Sequence, residues 1–300
     1  MSEPVKASGM DGVPIGCGQL TWTNMSPDEV LVEIAQAGYE GAPGTLNLDL
    51  PASETVTRYA AHGLRPAPPY YSAAFWQSDR EGEILADAGP IARYVRELGC
   101  TELYVATAGG DMITPSGKTR SERVGRITGD DALSADALAR FGETLSEFGR
   151  RTLVEGVASC FHNHAGTMIE TEQELDRLLN LCDPESVFLG LDTGHLAWAG
   201  ADAAAVCARY NDRIRTLHLK DVDETIRLQG VAEGWDYRTF TQRGIFAELG
   251  QGSVDFPAIV EGLTAAGFGG WLIVETDVTM LPTALESALV SRDYLRTLGL

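Results

Sequence analysis

Six side chains that can bind a divalent metal ion follow four apolar segments in the second half of the chain: His162, His164, Asp192, His195, His218 and Glu275. A single histidine or aspartate after a strand is usually a structural residue or a helix cap. Here four successive segments each end in such a residue, which structural roles explain poorly. Two imidazoles and two carboxylates suit a borderline divalent ion such as Mn2+, Zn2+, Co2+ or Fe2+. An open coordination position would then bind a hydroxyl, a carbonyl or water.

The predicted metal ligands are His162, Asp192, His218 and Glu275. His162 and His164 stand two apart and therefore face the same side of an extended segment, so either could be the ligand from that segment. The other histidine would contact substrate or orient a ligand. His195, which follows Asp192 after a turn-permitting glycine, is assigned to substrate binding, with support of the metal ligands as the alternative.

Eight short apolar segments would position these groups, at residues 13–20, 39–42, 65–70, 102–106, 157–161, 187–191, 214–219 and 271–274. Nearly continuous apolar runs are typical of strands buried on both faces. Eight βα units with right-handed crossovers close most naturally into a single (β/α)8 TIM barrel, which is the α/β fold that we predict. An open doubly wound sheet is the alternative, but it usually carries a glycine-rich phosphate loop after its first strand, and this chain has none there.

The stretches between the strands carry helix start and stop signals. Ser26, Pro27 and Glu29 form a capping box at the start of a helix that Gly38 should end. Thr171 begins a second capping box, and Ser134 is predicted to cap a long amphipathic helix. His62 is interpreted as a residue of a helix terminus.

Two connections are unusually long, at residues 109–130 and 222–252. Both follow strands, so in a barrel they lie on the catalytic face, where long loops are usually lids or substrate walls. Plain surface insertions are the alternative. Aromatic side chains could face a ring-shaped substrate, with burial in the barrel core as the alternative: Trp22, Tyr70, Tyr71, Phe75 and Trp76. Of these, Trp22, Tyr71 and Trp76 are assigned to substrate binding.

The composition indicates one cytoplasmic domain over residues 1–300, with residues 1–12 as a short tail. No segment reaches the roughly 18 apolar residues of a membrane helix, and the N-terminus lacks the layout of a signal peptide. The formal net charge of −20 disfavours a nucleic-acid partner. The five cysteines are dispersed and form no C-x-x-C pair, which predicts reduced, buried thiols.

The sequence resembles the xylose isomerase-like TIM-barrel superfamily of sugar isomerases, epimerases and dehydratases. Four motifs carry the resemblance: L-D-T-G-H at 191–195, L-H-L-K-D at 217–221, G-x-G-x-ϕ-D at 250–255 and ϕ-ϕ-V-E at 272–275. Within the superfamily it looks most like the inosose dehydratase family, on T-W-T-N at 21–24, A-G-Y-E-G at 37–41, H-x-H-x-G-T at 162–167 and T-E-x-E-ϕ-D at 171–176. The resemblance covers nearly the whole chain and implies that the four ligands come from the ends of strands five to eight.

The chain departs from the family pattern at two positions. Many relatives carry glutamate where this chain has His162, and the replacement removes one of the two bases that a two-carboxylate epimerase uses. Relatives also continue from A-G-Y-x-G into E-ϕ-G, where this chain has Ala42, Pro43 and Gly44.

The resemblance implies a lyase that eliminates water from an inosose-like cyclic keto-polyol through an enolate, with one divalent ion. Mn2+ is expected, with Co2+, Zn2+, Fe2+ or Mg2+ as alternatives. Glu275 would be base as well as ligand, and Lys220 and His195 would donate a proton or stabilise the enolate. His164, His195 and Lys220 would contact the substrate.

Isomerisation or epimerisation of a ketose is the alternative function, because the same enolate serves it. A metal-dependent DNA-repair nuclease would need a basic surface and ligands on earlier strands, where His62 is the only histidine. The intact ligand positions disfavour a non-catalytic binding protein. We expect a small polyhydroxylated substrate and neither a nucleic acid nor a membrane as partner, and a homo-oligomer is compatible with the sequence.

Overall fold

The computed structural model describes residue 10 and residues 12–300, and most of the strands in this part of the chain form one curled parallel sheet. The strands are β1 Ile15–Cys17, β2 Gly41–Pro43, β3 Arg65–Ala67, β4 Tyr70–Ala73, β5 Glu102–Thr107, β6 Ala158–His162, β7 Val187–Asp192, β8 Ile214–Leu219, β9 Asp221–Val222, β10 Phe246–Ala247 and β11 Leu272–Val274. The order of hydrogen-bonded strands in the large sheet is β3-β2-β1-β11-β8-β7-β6-β5-β4. The predicted TIM barrel is therefore confirmed, with β11 as its eighth strand.

The third predicted strand, at residues 65–70, is two strands in the structure. β3 pairs with β2 and β4 pairs with β5, so the partner changes between them. Pro68 and Pro69 lie at this change, and neither has a backbone N–H with which to continue a ladder. The two edges of the sheet are thus joined by two residues of chain, which closes the barrel. The first predicted strand is also shorter than expected, since the strand covers only Ile15–Cys17 of residues 13–20.

The helices surround the barrel, and they include every helix that was predicted from a capping residue. They are α1 Pro27–Ala37, α2 Ala52–Ala61, α3 Glu81–Glu97, α4 Arg120–Arg123, α5 Ala135–Val154, α6 Glu172–Leu179, α7 Thr193–Trp198, α8 Ala203–Arg209, α9 Glu224–Glu233, α10 Tyr237–Gln242, α11 Phe256–Ala265 and α12 Ala284–Thr297, with a 3-10 turn at Gly129–Asp131. Ser26 and Thr171 form the predicted capping boxes of α1 and α6, and Ser134 caps α5. Gly38 ends α1 in the left-handed conformation, and His62 is the C-cap of α2.

The interior of the barrel is filled by large side chains that glycines make room for. Ala67, Tyr104, Trp271 and Ile273 form one buried cluster. A Cβ at Gly190 would lie 2.7 Å from the Tyr104 ring, and one at Gly41 would lie 2.8 Å from the Trp271 ring, so neither position admits a side chain. The Tyr104 ring in turn lies 4.1 Å from that of His218, and it forms the floor beneath the C-terminal face.

The two long connections are ordered and pack on each other above that face. Residues 222–252 contain α9, α10 and the antiparallel pair of β9 and β10. Their apolar side chains form a second buried cluster with Val124 of the other connection and Trp198 of α7. The connections thus form a small core of their own.

Most of the predicted tail at residues 1–12 lies outside the described residues. Met10, which is described, is buried. All five cysteines are unpaired and buried, as expected. None of the helices in residues 12–300 combines the length and apolar character that crossing a membrane requires.

Candidate metal and active site

A cavity of about 380 Å³ opens at the C-terminal ends of the strands and contains most of the predicted groups. His162, His164, His218, Lys220 and Glu275 line one part of it. A larger groove of about 620 Å³ lies outside the barrel, along α8 and the starts of α9 and α11, and none of the predicted site residues lines it. The candidate site is therefore the cavity at the strand ends.

The four predicted metal ligands meet there in two overlapping groups. Ligand atoms of Asp192, His218 and Glu275 lie within 4.8 Å of one another, and so do those of His162, Asp192 and His195. Asp192 belongs to both groups. His218 Nδ1 lies 3.2 Å from Glu275 Oε2 and 3.7 Å from Asp192 Oδ2. Four strand ends distant in sequence thus bring their side chains to one small space.

Of the two histidines at the end of β6, His162 has the geometry of a ligand. Its Nδ1 lies 2.9 Å from the Gly190 carbonyl oxygen, which fixes Nδ1 as the donor and leaves the Nε2 lone pair free. His164 belongs to neither of the two groups found among the described residues. Its ring packs instead on His195, with centroids 3.8 Å apart, and against Tyr237 of α10. Their different partners, the Gly190 carbonyl and the His195 ring, therefore separate the two roles that the sequence left open.

Asp192 is held in place by the backbone on both sides. Its Oδ1 accepts the backbone N–H of His195 at 2.8 Å and so caps α7. Asn163 brackets it further, because Asn163 Oδ1 accepts the Asp192 N–H and Nδ2 donates to the Asp192 carbonyl. The second carboxylate oxygen, Oδ2, is left to face the cavity groups.

Lys220 lies buried among three carboxylates. Its Nζ is 3.1 Å from Asp192 Oδ2, 3.3 Å from Glu275 Oε2 and 3.0 Å from Asp277 Oδ1. His195 Nε2 lies 3.1 Å from the same Nζ. Burial alone would lower the pKa of Lys220, but the carboxylates outweigh it and hold the pKa well above its ordinary value. Lys220 is therefore a charged ammonium.

Asp277 lines the cavity but was not predicted from the sequence as a site residue. It stands two residues beyond Glu275, on the same side of an extended segment, and this period-two spacing was the available signal. Burial raises the pKa of Asp277 to about 6, against the opposing effect of Lys220.

Most of the other ionisable groups have the charge states that metal binding requires. His218 is the exception: burial alone would lower its pKa, but Glu275 and Asp192 outweigh it and raise the pKa to about 9, so a bound ion would have to displace its proton. Burial lowers the pKa of His162 to about 3 and that of His164 to about 4, and it holds the pKa of His195 well below its ordinary value. Burial alone would raise the pKa of Glu275, but His218 and Lys220 outweigh it and lower the pKa to about 2. Neutral imidazoles and ionised carboxylates are the forms that bind metal ions.

Several buried polar atoms at this point lie near charged groups but form no hydrogen bond with them. Within the described residues, both ring nitrogens of His218 and Oδ2 of Asp192 have no hydrogen bond. Buried polar groups are normally hydrogen-bonded, so such a cluster needs another explanation. A divalent cation fits this donor set of imidazole nitrogens and carboxylate oxygens.

The aromatic residues predicted to contact substrate lie elsewhere. Tyr71 stacks on Phe148 and donates to Asp87, on the helix side of β4. Trp76 packs against Phe141, and Trp22 Nε1 donates to Glu33 of α1. None of the three lines the cavity. Tyr70 does, because side chains alternate along a strand and the neighbour of Tyr71 faces the opposite side.

The far wall of the cavity comes from the first three strands. Gln19, Leu20, Pro43 and Pro68 line it together with Tyr70. Apart from Tyr70, these residues were not predicted as site residues, because their types do not indicate a particular chemistry.

Comparison with known proteins identifies the family of the chain. A family model described as a xylose isomerase-like TIM barrel matches residues 5–298. The chain belongs to the xylose isomerase-like TIM-barrel family. Within that family, it is 32% identical to an inosose dehydratase of Geobacillus kaustophilus over 275 residues, which covers 88% of this chain and 87% of the relative. It is 30% identical to the rhizopine catabolism protein MocC of Rhizobium meliloti, over 91% of this chain and 84% of that protein.

The fold of this family member also matches solved structures. A crystal structure of IOLI protein with a binding zinc atom aligns with a TM-score of 0.67 and 16% identity, over 95% of this chain and 98% of that one. At that identity the match concerns the fold alone.

Proposed function

We propose that the protein is a metal-dependent dehydratase, a lyase that removes water from an inosose-like cyclic keto-polyol. The proposal is supported by one observation above all. A chain 32% identical to an inosose dehydratase brings Asp192, His218, Glu275 and the ammonium of Lys220 together in one cavity. We further propose a cytoplasmic enzyme with a small polyhydroxylated substrate and no nucleic-acid partner.

The metal would be held by His162, Asp192, His218 and Glu275. When bound, a divalent ion supplies Lewis acidity that polarises the substrate ketone and makes the adjacent C–H more acidic. We propose Mn2+, and Co2+, Zn2+, Fe2+ and Mg2+ are the alternatives for the test. The structure of IOLI protein, which shares this fold, has a binding zinc atom, and this supports a divalent ion as the cofactor.

The chain's own groups would move two protons. A carboxylate oxygen of Glu275 takes the proton from the carbon beside the ketone, and the electron pair of that C–H bond forms the new double bond as the β-hydroxyl leaves. Lys220 has the charge to donate a proton to the departing oxygen, and His195, 3.1 Å from Nζ, holds it in place. The products are one water and an enol that becomes a dione.

The assay uses protein loaded with Mn2+ and an inosose in D2O, followed by absorbance and NMR. Dehydration predicts a new dione absorbance and loss of one hydroxyl from the ring. Epimerisation predicts deuterium at the α-carbon with the hydroxyl retained. Rapid exchange of the α-proton of ketoses, with no dione from any cyclic keto-polyol, would overturn the dehydratase proposal in favour of an isomerase or epimerase.

A further inference from the structure

The amide of Gln19 is fixed in one orientation by two neighbours behind the far wall of the cavity. Its Nε2 donates to the Pro43 carbonyl at 2.9 Å and to the Tyr59 hydroxyl at 3.0 Å. The Tyr59 hydroxyl donates to the same Pro43 carbonyl at 2.7 Å. A flipped amide would place Oε1 against that carbonyl oxygen, which repels it, so the network assigns the N–H groups to Pro43 and Tyr59.

Both contacts are made by Nε2, so this arrangement leaves the oxygen of Gln19 free. No hydrogen bond within residues 12–300 reaches Oε1, and the atom is not among the buried polar atoms without a partner. Gln19 is itself a lining residue of the cavity. A preoriented acceptor therefore stands on the wall opposite the histidines.

The surroundings of Gln19 make its acceptor distinctive. Leu20, Pro43 and Pro68 line the same wall and have no side-chain hydrogen-bonding group, and Tyr70 adds a hydroxyl group to it. Gly18, the residue before Gln19, packs against the stem of Glu275, since a Cβ at Gly18 would lie 2.7 Å from Glu275 Cγ. A ligand in the cavity would meet catalytic groups at one edge and an amide oxygen between aliphatic surfaces at the other.

We propose that Gln19 is a specificity-determining residue whose Oε1 accepts a hydrogen bond from one substrate hydroxyl remote from the reacting carbons. The positions beside that hydroxyl would present C–H groups to Leu20 and the two prolines. The proposal deepens the proposed function and rests on it for the keto-polyol.

The test compares Gln19→Leu with wild type on a cyclic keto-polyol and its mono-deoxy analogues. We expect one remote hydroxyl whose removal from the substrate lowers wild-type kcat/KM by about 10- to 100-fold, because Gln19 Oε1 is then left unpaired. The same removal should change kcat/KM of Gln19→Leu little, because this variant lacks the acceptor. Tyr59→Phe, which removes one of the two anchors, should show a smaller loss of discrimination at the same position. Gln36→Leu, the same change on the exposed face of α1, should keep the wild-type profile.

Calorimetry keeps this proposal separable from the proposed function. Binding of the corresponding cyclic polyol without the ketone, and of its mono-deoxy analogues, is measured on the metal-loaded protein. If no keto-polyol is turned over but Gln19→Leu still loses discrimination in binding, the assignment of Gln19 stands and the dehydratase proposal fails. A discrimination profile identical in wild type and Gln19→Leu, in turnover and in binding, would overturn the role of Gln19.

Discussion

Asp192 uses its two carboxylate oxygens for different tasks. Oδ1 is committed to the backbone N–H of His195, and Oδ2 is buried without a hydrogen bond among the described residues. A ligand whose other oxygen is bonded to the backbone keeps its orientation before the ion arrives. The same logic applies to His162, whose Nδ1 is held by the Gly190 carbonyl.

At this scale we predict that Asp192→Asn and His218→Ala lose metal retention and lower turnover by more than about 100-fold, because each removes a proposed ligand. Asparagine caps helices as well as aspartate does, so α7 should remain formed in Asp192→Asn. Metal content is measured after chelation and reloading, and folding is measured by circular dichroism.

The matched control for these variants is Asp202→Asn. Asp202 caps α8 in the same way, through the backbone N–H of Ala205 at 3.0 Å, but lies outside the cavity. It should retain both metal and activity. Wild-type turnover by exhaustively chelated His218→Ala would show that the metal assignment is wrong.

At the scale of elements, the connection at residues 109–130 is fastened by a buried polar network. Arg120 forms a two-pronged pair with Glu174 of α6, at 2.8 and 2.9 Å. Asp131, at the end of the connection, accepts the Thr128 N–H at 2.9 Å and the Thr114 hydroxyl at 3.1 Å. Burial alone would raise the pKa of Asp131, but these hydrogen bonds outweigh it and hold the pKa below its ordinary value.

Asp131→Asn should therefore reduce the free energy of unfolding by about 1–3 kcal/mol at pH 7, since an amide cannot accept from all of these donors. The folded pKa lies below the unfolded one. The stabilisation is thus complete at neutral pH and is lost as the pH falls below about 4 toward the folded pKa. Urea unfolding across that range checks both statements.

The exposed neighbour supplies the control for this element. Asp130→Asn makes the same change one residue earlier and should leave the unfolding free energy within about 0.5 kcal/mol of wild type. Equal stabilities of the two variants at pH 7, or a difference that widens on acidification, would contradict the role given to Asp131.

At the scale of the whole molecule, metal binding should stabilise the fold. The proposed ligands come from four strands of the barrel, so an ion bound by them favours the folded chain over the unfolded one. Linkage gives about 2.7 kcal/mol when the free ion stands 100-fold above its dissociation constant. Tm, followed by scanning calorimetry, should therefore rise on addition of Mn2+ and fall with a chelator.

The charge of the molecule requires a control for that measurement. A chain with a net charge of −20 attracts cations weakly over its whole surface. His218→Ala keeps every carboxylate, so it retains the weak attraction and loses only the proposed site. A rise in Tm as large in this variant as in wild type would show that the stabilisation is not specific.

The sequence alone was enough to predict the barrel and the meeting of metal-binding side chains at its strand ends. Buried parallel strands appear as short apolar runs, and helix caps are local signals, so both are visible in the chain itself. The ends of barrel strands share one face, which is why residues as distant as His162 and Glu275 can be grouped from the sequence. The prediction of one unbroken third strand was wrong, because the change of strand partner at Pro68 and Pro69 is a property of the closed sheet.

Only the tertiary structure decided which side chains line the cavity. Tyr70 and Tyr71 are equivalent in type, and the register of β4 turns one to the cavity and the other to α5. His162 and His164 are separated by their partners, the Gly190 carbonyl and the His195 ring, which lie on another strand and on a helix. Gln19 became informative only when the Pro43 carbonyl and the Tyr59 hydroxyl fixed its amide, since a hydrogen bond between residues 24 or 40 positions apart leaves no local trace in the sequence.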